Sequence, residues 1–577
     1  MGFLNLMSLV GIVGLCLVAW AFSEKRSLRL FPWRIVITGI MLQLVLGFFV
    51  FRVPFTRDLV EIFGNSINVL FEAVDFGARF VFGRSLVPLP GQEPLLLSPL
   101  AEGATCTPPV PGEVLPGLCA VQLGYVFAFR VLPAVIFFSG FMALLYNLGI
   151  MQIITAFFAW IFYSTMRLSG AESLSGAANI FVGIESAIAV KPFLSKMTRS
   201  ELLTVLSCCF GTSASSTLAV YAGVLRDVFP NIAGHLVSAS IMSIPACFVL
   251  SKIVLPETGV PLTAGGIPED TTGREVPADL VDDEAHLVGD RTTHTHAETA
   301  RKERISPLDA AIVGALDGVK MAVSIAAVLI LILAFVYLIN QVFAGLANLP
   351  GIFGEFFEVI TLQNLLGILF MPLTVLTGVS LEWDELWRSS VIIGRRLFET
   401  AIPPYQELAV ASATGELSDR ALVIISYALS GFAHLASVGI FVGGISALIP
   451  TRRREIASLG WKALFVGTLA TIMTAAAAGL FYVDGDASIL GTPPAETQVA
   501  PAPEASPDAP ADAPADTPAD AAPVEPEAEA PPAEVPPEEV PPADVLPEAP
   551  PEAAPAPVGQ EEAPPPFEEA APPEASP

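Results

Sequence analysis

Leu168-Ser169-Gly170-Ala171-Glu172-Ser173-Leu174, followed by Asn179-Ile180-Phe181-Val182-Gly183-Ile184-Glu185, is the stretch on which the fold turns. Eight of the ten residues from Ser169 to Ala178 are Gly, Ala or Ser, and the carboxylates Glu172 and Glu185 mark it. The surrounding chain is 53% hydrophobic with a mean hydropathy of +0.63, which places the protein in the membrane class. A carboxylate at membrane depth is costly unless it faces protein or water. Small residues let backbones approach and let a helix break, and broken helices at depth occur only where they line a cavity. The stretch predicts a discontinuous hairpin carrying a polar site into the bilayer.

The flanking segments orient it. Phe3 to Phe22 is long enough to cross and is followed by Lys25, Arg26, Arg29 and Arg34, so the N-terminus is expected outside. A signal peptide cleaved near Ala19-Trp20-Ala21 is the alternative, but no positive charge precedes the apolar run. Ile35 to Val53 returns outward. Arg57 to Phe82, with charges recurring among apolar residues, suits a helix lying in the interface. Pro88 to Leu118 reads as a polar external loop, in which Cys106 and Cys119 pair if the compartment is oxidising. The other cysteines, Cys16, Cys208, Cys209 and Cys247, sit in apolar runs as small hydrophobes. Tyr125 to Tyr146 crosses inward, and Ile150 to Met166 lies at the membrane edge or interface.

The opening hairpin ends at Lys191, Lys196 and Arg199, so it enters from the cytoplasmic side. Leu202 to Val224 and Ile232 to Val254 are the next spans, and Pro256 to Ser306 is a solvated loop holding His286, His294 and His296. Met321 to Val342 exits. Asp309, and Asp317 with Lys320, serve helix-end and i,i+3 pairing. A second interrupted hairpin runs from Ile360 through Arg395, Arg396 and Glu399 to Pro403-Pro404 and enters from outside. Ala421 to Ile449 reaches the Arg452-Arg453-Arg454 cluster, and Leu464 to Tyr482 exits.

The expected fold is therefore an all-α polytopic membrane protein with an inverted-repeat transporter architecture. It has eight transmembrane helices, two re-entrant hairpins, interfacial helices and both termini outside. Its parts are residues 1–120, the first hairpin repeat 121–255, the cytoplasmic loop 256–306, the second repeat 307–483 and the tail 484–577. The tail holds 22 Asp/Glu and no Lys or Arg, which leaves the rest of a −28 chain near −6. Its Pro-Ala-Glu-Asp composition cannot build a core and predicts disorder. No basic patch suits nucleic acid. No nucleotide-binding loop, HExxH or Gly-x-Ser-x-Gly points to an enzyme.

Several strings carry a family resemblance: Gly149-Ile150-Met151-Gln152, Ser169-Gly170-Ala171-Glu172-Ser173, Asn179-Ile180-Phe181-Val182-Gly183 and Lys196-Met197-Thr198-Arg199-Ser200-Glu201-Leu202. So do Tyr427-Ala428-Leu429-Ser430-Gly431-Phe432-Ala433, Gly443-Gly444 and Arg452-Arg453-Arg454. Over about residues 120–255 and 305–482 the chain resembles concentrative nucleoside transporters. That resemblance implies a homotrimer of the bacterial inner membrane, in contact with lipid, that couples nucleoside uptake to Na⁺ or H⁺ without an organic cofactor. It implies a Na⁺ site at Asn179, the Val182 carbonyl, Thr212 and Ser213, all oxygen donors as a hard cation wants. It implies a substrate site at Ile184, Glu185, Thr217, Glu399, Phe432, His434 and Ser437, with Glu407 a rival for the Glu399 role.

The departures bear on specificity. The family's Gly-Gln-Thr-Glu is here Gly183-Ile184-Glu185, and its Asn-Glu-Phe is replaced around Phe398-Glu399-Thr400. His434 stands where the family has Asn; as a histidine in the pocket it would make affinity pH-dependent, and as a core histidine it would not. Glu172 is expected to pair with Arg167 or Lys191 and hold the hairpin. A transport-incompetent receptor or scaffold presenting the acidic tail is the alternative function.

Overall fold

The computed structural model describes residues 2–83, 86–87, 95–99, 118–122, 126–266, 306–349, 354, 357, 360–483, 485 and 487–491. All of them belong to one compact unit, Met1–Pro501. The Cys106–Cys119 pairing, the histidine-bearing loop and the acidic tail lie outside the described residues, in whole or in part. Two apolar helices, α1 (Phe3–Ala21) and α2 (Trp33–Arg52), precede the amphipathic α3 (Pro54–Phe82). The only strands among the described residues are a short antiparallel pair, β1 (Leu95–Pro99) and β2 (Leu118–Gln122), with Ser98 opposite Cys119.

From there the chain forms two successive runs of helices. The first pass comprises α4 (Phe127–Arg130), α5 (Leu132–Asn147), α6 (Ile150–Met166), α7 (Gly170–Ala178), a 3₁₀ turn at Ile184–Val190 and α8 (Lys191–Leu194). It ends with α9 (Arg199–Gly211), α10 (Ser215–Leu225) and α11 (Ile232–Val254). The second comprises α12 (Pro307–Ala347), α13 (Leu362–Thr377), α14 (Trp383–Glu399), α15 (Ile402–Ala413), α16 (Asp419–Leu429), α17 (Leu435–Leu448) and α18 (Arg453–Phe481), before a last turn, α19 (Ala487–Leu490).

Local chemistry sets the matching boundaries. A left-handed residue ends both α6 (Arg167, φ 54°) and α13 (Gly378, φ 67°). Ser169 opens α7 with a capping box, its hydroxyl accepting from the Glu172 N–H at 3.3 Å while Glu172 accepts from the Ser169 N–H at 3.2 Å. Thr198 and Glu201 do the same for α9, and Ser418 caps α16. Asp309 lies in the first turn of α12 and Lys320 pairs with Asp317 at 2.7 Å, as the sequence predicts.

Seven of the described helices are long and apolar enough to cross a membrane. The eighth expected span, Ala421 to Ile449, is not one rod: it divides at Ser430–His434 into α16 and α17. The Leu202–Val224 span divides likewise at Thr212–Ala214. Polar, small residues at these positions compete with the helix for backbone hydrogen bonds and so open it. The core is formed by α9, α11, α16 and the C-terminal half of α18, which are buried on nearly every face. By contrast α3 and α12 leave long apolar faces exposed, among them Phe76, Phe80, Ile330 and Leu338.

Glu172 pairs with neither Arg167 nor Lys191. Its carboxylate meets Lys252 of α11 at 2.5 Å, with both side chains out of solvent. Three helix ends are thereby tied together, because Ser169 also donates to Glu201 at 2.7 Å and Lys252 to Ser200 at 3.0 Å. Arg167 is displaced from this role by its left-handed turn.

Candidate functional site

The two openings, 212–214 and 430–434, cross each other. Phe432 N–H donates to the Thr212 carbonyl at 3.1 Å, and the Ser213 hydroxyl donates to the Ser430 carbonyl at 2.7 Å. The crossing requires Gly431: a Cβ there would stand 3.0 Å from the carbonyl oxygens of Phe210 and Gly211. The backbone groups freed by each broken helix are in this way partly satisfied by the other.

Beside the crossing is a cavity of about 230 Å³. One wall is made by Thr212, Thr217, Thr400, Phe432 and His434, with Gly183 from the turn after α7. The opposite wall is α12, through Met321, Ser324, Ile325, Val328 and Leu329. Thr212, Thr217, Phe432 and His434 are thus brought together as the resemblance implies. Ile184 and Glu185 follow Gly183 in the 3₁₀ turn, and their side chains lie outside the described residues.

Ser437 and Glu399 are occupied elsewhere. Ser437 sits in the first turn of α17, where His434 is the N-cap: the Ser437 N–H donates to His434 Nδ1 at 3.3 Å, and the Ser437 hydroxyl donates to the Phe432 carbonyl at 2.6 Å. A nitrogen that accepts a hydrogen bond carries no proton, so the ring is neutral with its proton on Nε2. That Nε2 is buried without a partner. Glu399 is fully buried and saturated, taking Arg395 at 2.8 Å on one oxygen and Gln363 at 2.8 Å on the other. Its rival Glu407 also pairs with Arg395. Neither lines the cavity.

The residue that does reach the cavity from the end of α14, Thr400, is one that sequence reasoning missed. Its φ of 71° and ψ of −178° fall in a region that is essentially reserved for glycine, and its hydroxyl is buried without a partner. Such strain in a β-branched residue is held by the surrounding structure. The only signal for it in the sequence is its position between Glu399 and the Pro403-Pro404 pair.

The residues at the expected ion site fit a hard cation. Asn179 caps the end of α7, fully buried; its Nδ2 donates to the Ser175 carbonyl at 3.1 Å and the Ser186 hydroxyl at 2.7 Å, which leaves Oδ1 without a partner. A buried amide oxygen with nothing to accept is costly unless something supplies positive charge. Thr212 and Ser213, also buried, add oxygens on the neighbouring opening. Among the described residues no cluster of His, Cys, Asp and Glu suits a transition metal.

Residues 10–85 match the family described as the Na⁺-dependent nucleoside transporter N-terminus, residues 128–227 the nucleoside-recognition gate family, and residues 235–479 the Na⁺-dependent nucleoside transporter C-terminus. The chain is 32% identical over 480 residues to the uncharacterized transporter YutK of Bacillus subtilis, covering 82% of this chain and 99% of the relative. It is 31% identical over 490 residues to sodium/nucleoside cotransporter 1 of Rattus norvegicus, covering 82% of this chain and 64% of that longer protein. Among solved structures, CNTnw in an inward-facing substrate-bound state superposes with a TM-score of 0.64 at 30% identity, over 83% of this chain and 98% of that one. A CNTnw variant in an outward-facing state gives 0.65 at 29% identity, over 83% and 98%. These relatives are transporters rather than enzymes, and the receptor alternative finds no support among them. The matches to the family models and to these relatives, along most of the described residues, place this chain in the family of Na⁺-dependent nucleoside transporters.

Proposed function

We propose that the protein imports nucleosides or nucleoside-like solutes across the bacterial inner membrane by alternating access, coupled to Na⁺. The observation that carries this is the meeting of the crossed openings, through Thr212 and Phe432, on one cavity, and the buried, unpaired Oδ1 of Asn179 supports the coupling to a cation. Asn179, the Val182 carbonyl, Thr212 and Ser213 hold the ion. When bound, the ion supplies positive charge where the hairpin tip meets the opened helix. Thr217, Phe432 and His434 contact the solute, together with Ile184 and Glu185 at the hairpin tip. The hairpins are re-entrant from opposite faces, so both termini lie outside. The segments divide as 1–120, 121–255, 256–306, 307–483 and 484–577, with a homotrimer as the assembly, for which the exposed apolar faces of α3 and α12 offer surface.

The test is uptake of a radiolabelled nucleoside panel into proteoliposomes with and without an inward Na⁺ gradient. Gradient-driven uptake is expected, with Asn179→Ala raising the half-saturating Na⁺ concentration about tenfold, the loss of about 1.4 kcal/mol. Uptake that ignores the Na⁺ gradient and follows pH instead would move the coupling to H⁺.

A further inference from the structure

We propose that Ser186 is the positioning residue of the ion site, holding the Asn179 amide so that Oδ1 is turned to the cation. The inference deepens the transport reading and rests on its assignment of Asn179 as an ion ligand. Ser186 lies in the 3₁₀ turn at Ile184–Val190, is buried, and does not line the solute cavity. Its hydroxyl oxygen accepts from Asn179 Nδ2 at 2.7 Å, and the Ser175 carbonyl accepts from the same nitrogen at 3.1 Å.

The amide has two ends, and its surroundings decide which is which. A carbonyl oxygen only accepts, so the end of the Asn179 side chain that faces Ser175 is the NH₂ group. Ser175 and Ser186 together take both of its hydrogens, and Oδ1 is left without a partner in a fully buried position. The Ser175 contact belongs to the helix end, where that carbonyl also accepts from the Asn179 backbone N–H at 3.0 Å. It does not by itself fix the amide plane, because the last torsion of an asparagine side chain is broad. Ser186, seven residues on across the turn, is the second anchor.

Ser186 also joins this amide to the opened helix. Its Oγ lies 4.0 Å from Cys209 Sγ. Cys209 stands one turn before Thr212, and both are on the cavity wall. One side chain thus borders both parts of the expected ion site, the Asn179 end of α7 and the Thr212 face of α9. Without its oxygen, one Asn179 N–H is buried with no acceptor, and the amide gains by turning elsewhere. Oδ1 then leaves the position in which it meets a cation, while Thr217, Phe432 and His434 keep theirs.

The test is Na⁺ binding by the full-length protein in nanodiscs, read as the rise of the thermal unfolding midpoint when Na⁺ replaces K⁺ at constant ionic strength. Ser186→Ala should raise the half-saturating Na⁺ concentration about tenfold, the size expected for one buried hydrogen bond. Uridine affinity at saturating Na⁺ should not change. Ser186→Thr, which keeps the acceptor, should titrate as wild type does. Because Ser186 acts through Asn179, Ser186→Ala should add less than about twofold in the Asn179→Ala background. Should Ser186→Ala fail to fold, Ser186→Val against Ser186→Thr, alike in shape and different in the hydroxyl, decides in its place. A wild-type Na⁺ titration in Ser186→Ala, or a further loss of about tenfold on top of Asn179→Ala, overturns this inference alone. An Asn179→Ala protein that still titrates as wild type overturns the ion-site reading with it.

Discussion

Glu172 at the start of α7 and Lys252 near the end of α11 form an ion pair at 2.5 Å in which neither side chain reaches solvent. Removing Lys252 strands the Glu172 charge, at a cost of about 3–5 kcal/mol, whereas removing Glu172 leaves Lys252 a second carboxylate, Glu257, at 3.4 Å. Lys252→Met should therefore lower the thermal unfolding midpoint of the detergent-solubilised protein markedly and Glu172→Gln less so, and the double variant should recover much of the Lys252→Met loss. Additive losses in the double variant would mean that the two side chains act separately.

Thr400 tests the second hairpin. Relieving a backbone held in a glycine-only region returns on the order of 1–3 kcal/mol. Thr400→Gly should therefore raise the unfolding midpoint while weakening solute binding, because the hydroxyl facing the cavity is lost. A variant that is less stable, with binding intact, would assign Thr400 to packing.

His434 both caps α17 and faces the cavity. Asparagine is among the best capping residues, so His434→Asn should leave folding unchanged. What it removes is the Nε2 donor, and affinity should fall by about tenfold, or 1.4 kcal/mol. Binding equal to wild type across pH 5 to 8 would restrict His434 to its capping role.

On the α1–α2 turn, Glu24 accepts a hydrogen bond from Lys462 and lies 3.5 Å from Arg199. Lys462 first, then Arg199, hold its carboxyl below the usual value, against an opposing effect of partial burial. A depressed carboxyl stabilises the fold above its unfolded value, and that contribution is lost as pH falls through the folded one. The midpoint difference between wild type and Glu24→Gln should be present at pH 7 and vanish towards pH 3. It should be small, since the group is largely exposed. A difference that grows on acidification would contradict the pairing.

Much of the fold was legible because the bilayer imposes it: apolar length, flanking Lys and Arg, and clusters of small polar residues locate spans and breaks on their own. The cavity residues Thr212, Thr217, Phe432 and His434 were legible from motifs. Partners were not. Nothing in the sequence distinguishes Lys252 from Lys191 as the mate of Glu172, since that choice depends on how α11 packs against two helix ends. Nor does it say that Arg395 would claim Glu399 and Glu407 while Arg396, one residue on, claims neither, because a 100° rotation around α14 separates their surroundings. Ser437 matched a solute-contacting position yet caps its own helix, a use that periodicity cannot tell from the first.

The α12 wall of the cavity rests on a seam of small residues. Gly314 and Gly318 lie against α5 so closely that a Cβ on Gly314 would stand 2.4 Å from that of Ala143. Backbones in such contact have no rotamers to rearrange, so the seam has little mechanical compliance. Met321, Ser324 and Val328 on the same helix are then carried by a stiff beam, and any change in cavity volume must come from the wall that Thr212, Thr400 and Phe432 form. A bulkier residue at Gly314, about two turns before Met321 on the same helix, would reset the width of the passage as surely as a substitution within it.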